Sequence, residues 1–192
     1  MSPATPMTRE TGMTYHIRDA TPPDAPALAD TVMEPMITTF RGRVPDRCLS
    51  WLTKEESIAN WRRWFQSDGS DGEFLLVAEL MEGSVVGCAL GGPQPDDPRL
   101  HGELYLLGVL SAYQRHGIGR DLVRAVAARS MRVCVLTINP NRSFYERLGG
   151  QYVGERPYDW NGVLFREAVY GWTDITRLAT TPSQNANRRS QP

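Results

Sequence analysis

Hydrophobic and polar positions alternate along "YHIRDAT" (15–21), a period of two that predicts a short strand. Pro22, Pro23 and Asp24 then open a run of helical spacing, "APALADTVMEPM", with Asp24 expected as its N-cap. In "KEESIANWRRWFQ" (54–66) Ile58, Trp61, Trp64 and Phe65 recur at helical intervals, and Thr53 with Glu56 has the form of a capping box. "FLLVAEL" (74–80) and "SVVGCAL" (84–90) are β-rich runs, and "MEGS" between them, a short Gly-containing turn, makes them read as a hairpin. "ELYLLGVL" (103–110) predicts a central strand, followed by a helix over 120–131, the strand "RVCVLTI" (132–138), a short helix, and strands near 151–158 and 164–175. The order is β, α, α, a meander, then β-α-β-α-β-β, with no internal repeat: an α/β (α+β) chain.

The ends lack this patterning. Residues 1–13 have neither the basic start nor the apolar stretch of a secretory signal and read as a flexible leader. Residues 179–192, rich in Pro, Ser, Asn and Gln, carry no large apolar side chain and read as a disordered tail, which leaves 14–178 as one domain.

Composition narrows the classes further. At 192 residues, 41% hydrophobic and 22% charged with a mean hydropathy of -0.40, the chain suits a single enzyme-like domain. No apolar run approaches the roughly 18 residues of a membrane span. A formal net charge of -1 supplies no global field for nucleic acid, so an anion must be met by a local cluster. Cys48, Cys88 and Cys134 are scattered, which points to neither a disulfide framework nor a metal site and fits a cytoplasmic protein.

Such a local cluster stands at 114–119, "QRHGIG", between the central strand and the helix after it. Gly117 and Gly119 permit backbone conformations closed to other residues, and the helix start offers unpaired N–H groups and a positive dipole end. Arg115, His116, Arg120 and Arg124 add positive charge, which suits a diphosphate. A Walker loop is excluded because Arg120 and Asp121 stand where Lys and Ser or Thr are needed; a Rossmann fingerprint is excluded because Leu122 stands where Gly is needed.

The stretch resembles motif A of the GNAT acetyltransferases, Q/R-x-x-G-x-G/A, here Gln114, Gly117 and Gly119. "NPNRSFYERLGG" (139–150), "TTFRGRVPD" (38–46) and "EAVYGW" (167–172) resemble further segments of a bacterial, small-molecule-type subgroup, so that about residues 14–176 are covered. Ser111 replaces a common Pro, Gly150 a common Phe, and the span from third helix to fifth strand is short. The resemblance implies a central mixed, mostly antiparallel sheet of six to seven strands, splayed between the fourth and fifth and flanked by about four helices. It also implies acetyl-CoA as cosubstrate, held by Gln114, Arg115, His116, Gly117, Ile118, Gly119 and Arg120, with Asn139 and Val109 beside it and no metal.

Acetylating an amine requires its neutral form. With a pKa of ~10.4, only about one lysine-like amine in 2,500 is neutral at pH 7, a barrier of roughly 4.6 kcal/mol. Glu103, at the start of the strand that the resemblance places beside the acetyl group, is the candidate base, with His101 second. Tyr145 falls in a helix expected to run from an Asn139 cap and Pro140 to Gly149, at the position where the family carries a tyrosine general acid. Gly108 weakens its strand unless a bulge or close approach is wanted; the resemblance implies that the N–H near Val109 is left free to polarise the thioester carbonyl.

The resemblance places the acceptor wall at 37–52, with Phe40 and Arg41 the candidate substrate contacts there and Tyr105 opposite; Arg43, Asp46, Trp51, Tyr158 and Trp160 are nearby candidates. The expected acceptor is the primary amine of a small molecule, with a protein N-terminus or lysine as rival. A non-catalytic acyl-CoA-binding module is the alternative from another class. No nucleic acid or membrane partner is expected, and, apart from the rival protein acceptor, the candidate partner is a second copy in a homodimer.

Overall fold

The structure is a computed structural model that describes residues 7–8, 13–67, 72–94, 102–127 and 131–172. Its strands are β1 (Met7–Thr8), β2 (Thr14–Asp19), β3 (Phe74–Leu80), β4 (Val85–Pro93), β5 (Gly102–Val109), β6 (Met131–Leu136), β7 (Gln151–Trp160) and β8 (Val163–Trp172). The helices are α1 (Ala25–Phe40), α2 (Lys54–Gln66), α3 (Ile118–Val126) and α4 (Ser143–Arg147). One sheet runs β1-β2-β3-β4-β5-β6-β8-β7, antiparallel throughout except for β5 beside β6. Seven strands of six or more residues match the expected count, and the two-residue β1, inside the expected leader, is an eighth. The expected tail lies outside the described residues.

The local signals explain most boundaries. Thr53 Oγ1 accepts from the N–H of Glu56 at 3.2 Å and starts α2 where the capping box was read. Asn161 (φ 51°) and Gly162 (φ 74°) form the two-residue turn between β7 and β8, the left-handed pair that an Asn-Gly hairpin demands. Asp24 stands at the N-cap position of α1 as expected, but its side chain does not cap the helix. Its carboxylate accepts from the N–H and Oγ1 of Thr21 at 2.7 and 2.9 Å and from Arg18, so it closes the turn before α1. Asn139 departs from its expected role, because α4 begins only at Ser143 and the Asn139 Oδ1 instead accepts from the Asn141 N–H at 2.8 Å.

Both faces of the sheet are packed. On one, Ile118, Leu122 and Val123 of α3 meet Leu104, Val133, Tyr170 and Trp172. On the other, Leu28 of α1 and the tryptophans of α2 cover Val77 and Cys88. A third cluster joins Phe40, Val44 and Cys48 to Leu136 and Trp160. Each fully buried aliphatic side chain contributes about 1.5–3 kcal/mol.

Two irregularities of β5 open the middle of the sheet. Leu90 faces Leu106 but Gly91 faces Leu104, so Tyr105 is the extra residue of a bulge. The parallel pairing with β6 covers only Gly102–Leu104 against Met131–Val133. Beyond it β5 stays with β4 while β6 stays with β8, and the two strands part.

Candidate active site

A cavity of about 540 Å³ occupies this opening. On one side it is lined by α1, with Val32, Pro35, Met36, Thr39 and Phe40; on the other by the 114–120 loop and by Phe144, Tyr145 and Arg147 of α4. Leu106, Leu107 and Val109 of β5 form the wall between, so the cavity passes from one face of the sheet to the other.

The loop has the cradle geometry read from its sequence, with one addition. Gly117 is left-handed (φ 88°), and so is Arg115 (φ 68°), a conformation that no local signal in a basic residue announces. Among the described residues, none of the amides from Arg115 to Arg120 donates to a protein group, and the amide of Asp121 is the first to do so, to Gly117 at 3.0 Å. Successive unpaired amides around left-handed residues make an anion nest. A Cβ at Gly119 would sit 3.5 Å from Phe144 and 3.7 Å from Val109, ordinary contacts that leave room for a methyl.

Around the nest, Gln114 turns back and donates through Nε2 to the Val109 carbonyl at 2.9 Å, pinning the loop to β5. The His116 Nδ1 is buried and has no hydrogen-bond partner among the described residues. Ile118 is a core residue, so only its amide faces the nest. Asp121, which sequence reading passed over, is 2% exposed and accepts from Tyr15 Oη at 2.7 Å, with Arg120 Nε and Arg124 Nη1 at 3.4 and 3.3 Å. The positive cluster is therefore anchored from below by a buried carboxylate.

Ladder geometry fixes the Val109 amide. Leu110 N–H donates to Val86 O at 3.0 Å, so the adjacent Gly87–Val109 pair is the non-hydrogen-bonded kind. The Val109 N–H points away from β4, toward the side that β6 has left. Gly108 serves a close approach: a Cβ there would lie 2.1 Å from the Thr31 carbonyl oxygen of α1.

Tyr145 lines the cavity, edge-on to Phe144 (5.0 Å, 76°) and stacked on Tyr170 (6.4 Å, 23°). Burial pushes its phenol up to about 12, so it stays protonated across the physiological range. Its hydroxyl has no hydrogen-bond partner among the described residues. Asn139 also lines the cavity, as do Asn141 and Arg147, which sequence reading did not single out.

The other candidates stand apart from the cavity lining. Glu103 is 9% exposed, where β5 and β6 still pair, and both Nε and Nη2 of Arg132 reach its Oε2 at 2.7 Å. His101 lies outside the described residues. Tyr105 donates to the Pro93 carbonyl, and Arg41 is exposed just past the end of α1. Phe40 does line the cavity, held edge-on by Trp160 at 5.5 Å. The expected wall at 37–52 takes in Thr39 and Phe40 but not Val32, Pro35 and Met36, although the five recur at i, i+3, i+4, i+7 and i+8, a single helical face. Trp51 and Arg43 are exposed, and Asp46 opens a short 3-10 turn.

The family model for the GNAT acetyltransferases matches residues 39–150, a span that contains the nest, the splayed strands and α4. The chain belongs to the GNAT acetyltransferase family. It is 31% identical over 172 residues to the uncharacterized N-acetyltransferase YuaI of Bacillus subtilis, covering 85% of this chain and 96% of that one. Among solved structures, the PaiA N-acetyltransferase of Thermoplasma acidophilum in complex with coenzyme A is 19% identical (TM-score 0.60; 83% of this chain, 98% of that). A ribosomal-protein alanine acetyltransferase of Vibrio fischeri is 15% identical (TM-score 0.58; 88% and 96%). These two share the fold, and their different names show that the fold leaves the acceptor open. As a member of the family the protein is an acyltransferase with coenzyme A chemistry. No helix among the described residues is long and apolar enough to cross a membrane.

Proposed function

We propose that this acetyltransferase moves the acetyl group of acetyl-CoA onto the primary amine of a small molecule by direct attack within the splayed sheet. The observation that carries the reading is the cavity that passes through the sheet. At one side it has unpaired amides from 115 to 120 with the orphaned His116 Nδ1 beside them, and at the other the helical wall of α1. These residues fit a pyrophosphate: a Cβ at Gly117 would have to be accommodated at φ 88°, and the nest offers donors that no other described residue uses.

Acetyl-CoA supplies a thioester carbonyl and a thiolate leaving group. The chain's own groups do the rest. The Val109 N–H, aimed into the gap, is placed to donate to an oxygen gaining negative charge. The Tyr145 hydroxyl donates to the departing sulfur. A phenol pushed up to about 12 gives up its proton reluctantly to a thiolate whose conjugate acid lies near ~8.5, so its main contribution is the hydrogen bond. Glu103, its Oε2 held by Arg132, takes the amine proton through water.

The α1 wall supports a small acceptor, because Phe40, pinned by Trp160, closes that side with packed side chains. A protein acceptor is the second reading, favoured by the likeness to the Vibrio fischeri structure. Mass spectrometry decides between them. After incubation with acetyl-CoA, free amines are expected to gain an acetyl group, and peptides with a free N-terminus or a lysine are expected to remain unmodified. Acetylation of the peptides alone would reverse the assignment.

A further inference from the structure

On the face where Leu136 meets Phe40 of the cavity wall, the sheet also carries a row of charges. The register sets Glu103 beside Arg132 across β5 and β6, and Arg156 beside Glu167 across β7 and β8. Cys134, two residues before Leu136 on the same face, lies within the field of all four, so the two pairs form one cluster. Glu103 and Glu167 are only 9% and 8% exposed. Charges this buried give little net stability over a well-packed apolar pair, so their presence on the face that carries Leu136 calls for another use.

The cluster is electrically closed except at one point. Arg156 reaches Glu167 only through Nε, at 2.7 Å, and its side chain is 42% exposed. Among the described residues, nothing accepts from its terminal nitrogens. Tyr158, two residues farther along β7 and therefore on the same face, is half-exposed, and its hydroxyl has no partner among the described residues. A free guanidinium end beside a free phenol is carboxylate-binding chemistry. Two glutamates and two arginines already cancel, so a ligand that brings both an anion and a cation preserves the balance.

We infer that the acceptor is an amine that carries a carboxylate, amino-acid-like in charge, with its carboxylate on the Arg156 guanidinium end and the Tyr158 hydroxyl and its amine toward Glu103 and the cavity. The inference rests on the acetyltransferase reading and narrows its substrate class.

The test compares kcat/KM for matched pairs that differ only in the carboxylate: L-phenylalanine with phenethylamine, L-leucine with isoamylamine, L-lysine with cadaverine. Thiol release from acetyl-CoA is the readout. The wild type is expected to favour the carboxylated member of at least one pair by ~10-fold or more. Arg156→Gln should collapse that ratio toward one, mainly through KM of the carboxylated member. Arg156→Lys should restore part of it, since it returns the charge without the fork. Tyr158→Phe, which leaves the Arg156–Glu167 pair intact, should lower the ratio by a smaller factor and guards against misfolding of the arginine variants. Equal turnover within every pair, or equal losses for both members in Arg156→Gln, would overturn the inference while leaving the acetyltransferase reading in place. No thiol release with any amine would overturn both.

Discussion

Gly117 and Gly119 look alike in the sequence and differ in what holds them. Gly117 is required by its backbone, since φ 88° strains any L side chain, whereas Gly119 has ordinary space around a Cβ. Calorimetry with acetyl-CoA should therefore find binding abolished or at least ~100-fold weaker in Gly117→Val, and changed by less than about 5-fold in Gly119→Ala. Tyr145→Phe keeps the packing on Phe144 and Tyr170 and removes only the donor. Its melting temperature and acetyl-CoA affinity should match the wild type, with kcat lower by roughly 10–150-fold, the loss of one hydrogen bond to a charged sulfur of about 1.5–3 kcal/mol. Because burial holds the phenol at about 12, the wild type should show no loss of turnover near pH 10 from this group; a Tyr145→Phe variant with the wild-type kcat would refute the assignment. These residues were legible because their signals are local: a Gly spacing, a strand before, a helix after. Asp121 was not, since its partner Tyr15 lies 106 positions away and a carboxylate in a first helical turn looks like ordinary dipole complementation.

At the scale of the element, β5 decides where the site lies. The hydrophobic run "ELYLLGVL" announces a buried strand, yet it hides the bulge at Tyr105, because a run without alternation carries no register. The splay, which the resemblance implied, does not show in the run itself: β6 stays with β8 along its whole length, while β5 leaves it after three paired residues. Gly108 was read as needing either a bulge or a close approach, and the approach is the one found. Gly108→Ala places a methyl against the Thr31 carbonyl, so either α1 shifts or the strand bends, at a cost of roughly 1–3 kcal/mol. Denaturant unfolding measures it, and a variant as stable as the wild type would show that α1 is not packed as described. The late start of α4 was also beyond the sequence. Asn139 and Pro140 are a strong start signal, but the Asx turn onto Asn141 takes the side-chain oxygen that would have capped the helix.

The whole molecule rests on contacts between distant segments, and one of them makes stability depend on pH. Arg18 is held by Asp24 at 2.7 Å and by Glu79 at 2.8 Å, tying β2 to β3 and to the turn before α1. For Asp24, burial raises the carboxyl, and the hydrogen bonds from Arg18 and Thr21 more than offset it, so the net shift is downward; the hydrogen bond from Arg18 likewise lowers Glu79. Groups depressed in the fold stabilise it fully above their unfolded values, near ~4, and lose that contribution as pH falls through the lower folded values. Arg18→Met should therefore cost stability at pH 7, and the gap to the wild type should shrink below about pH 4; melting curves at both values check the sign. The element order was legible at this scale because β-rich runs and helical period mark the core elements, and the family because the Gln114, Gly117 and Gly119 spacing resembles its motif, while the through-sheet cavity was not, since it exists only once β5 and β6 part. The central claim, that the chain uses this cavity to transfer an acetyl group, is tested most directly by following coenzyme A release from acetyl-CoA with a thiol reagent across a panel of primary amines. The account predicts saturable release that requires an amine and is lost in Gly117→Val. Stabilisation by coenzyme A with no release on any amine would contradict it and make the protein an acyl-CoA-binding module.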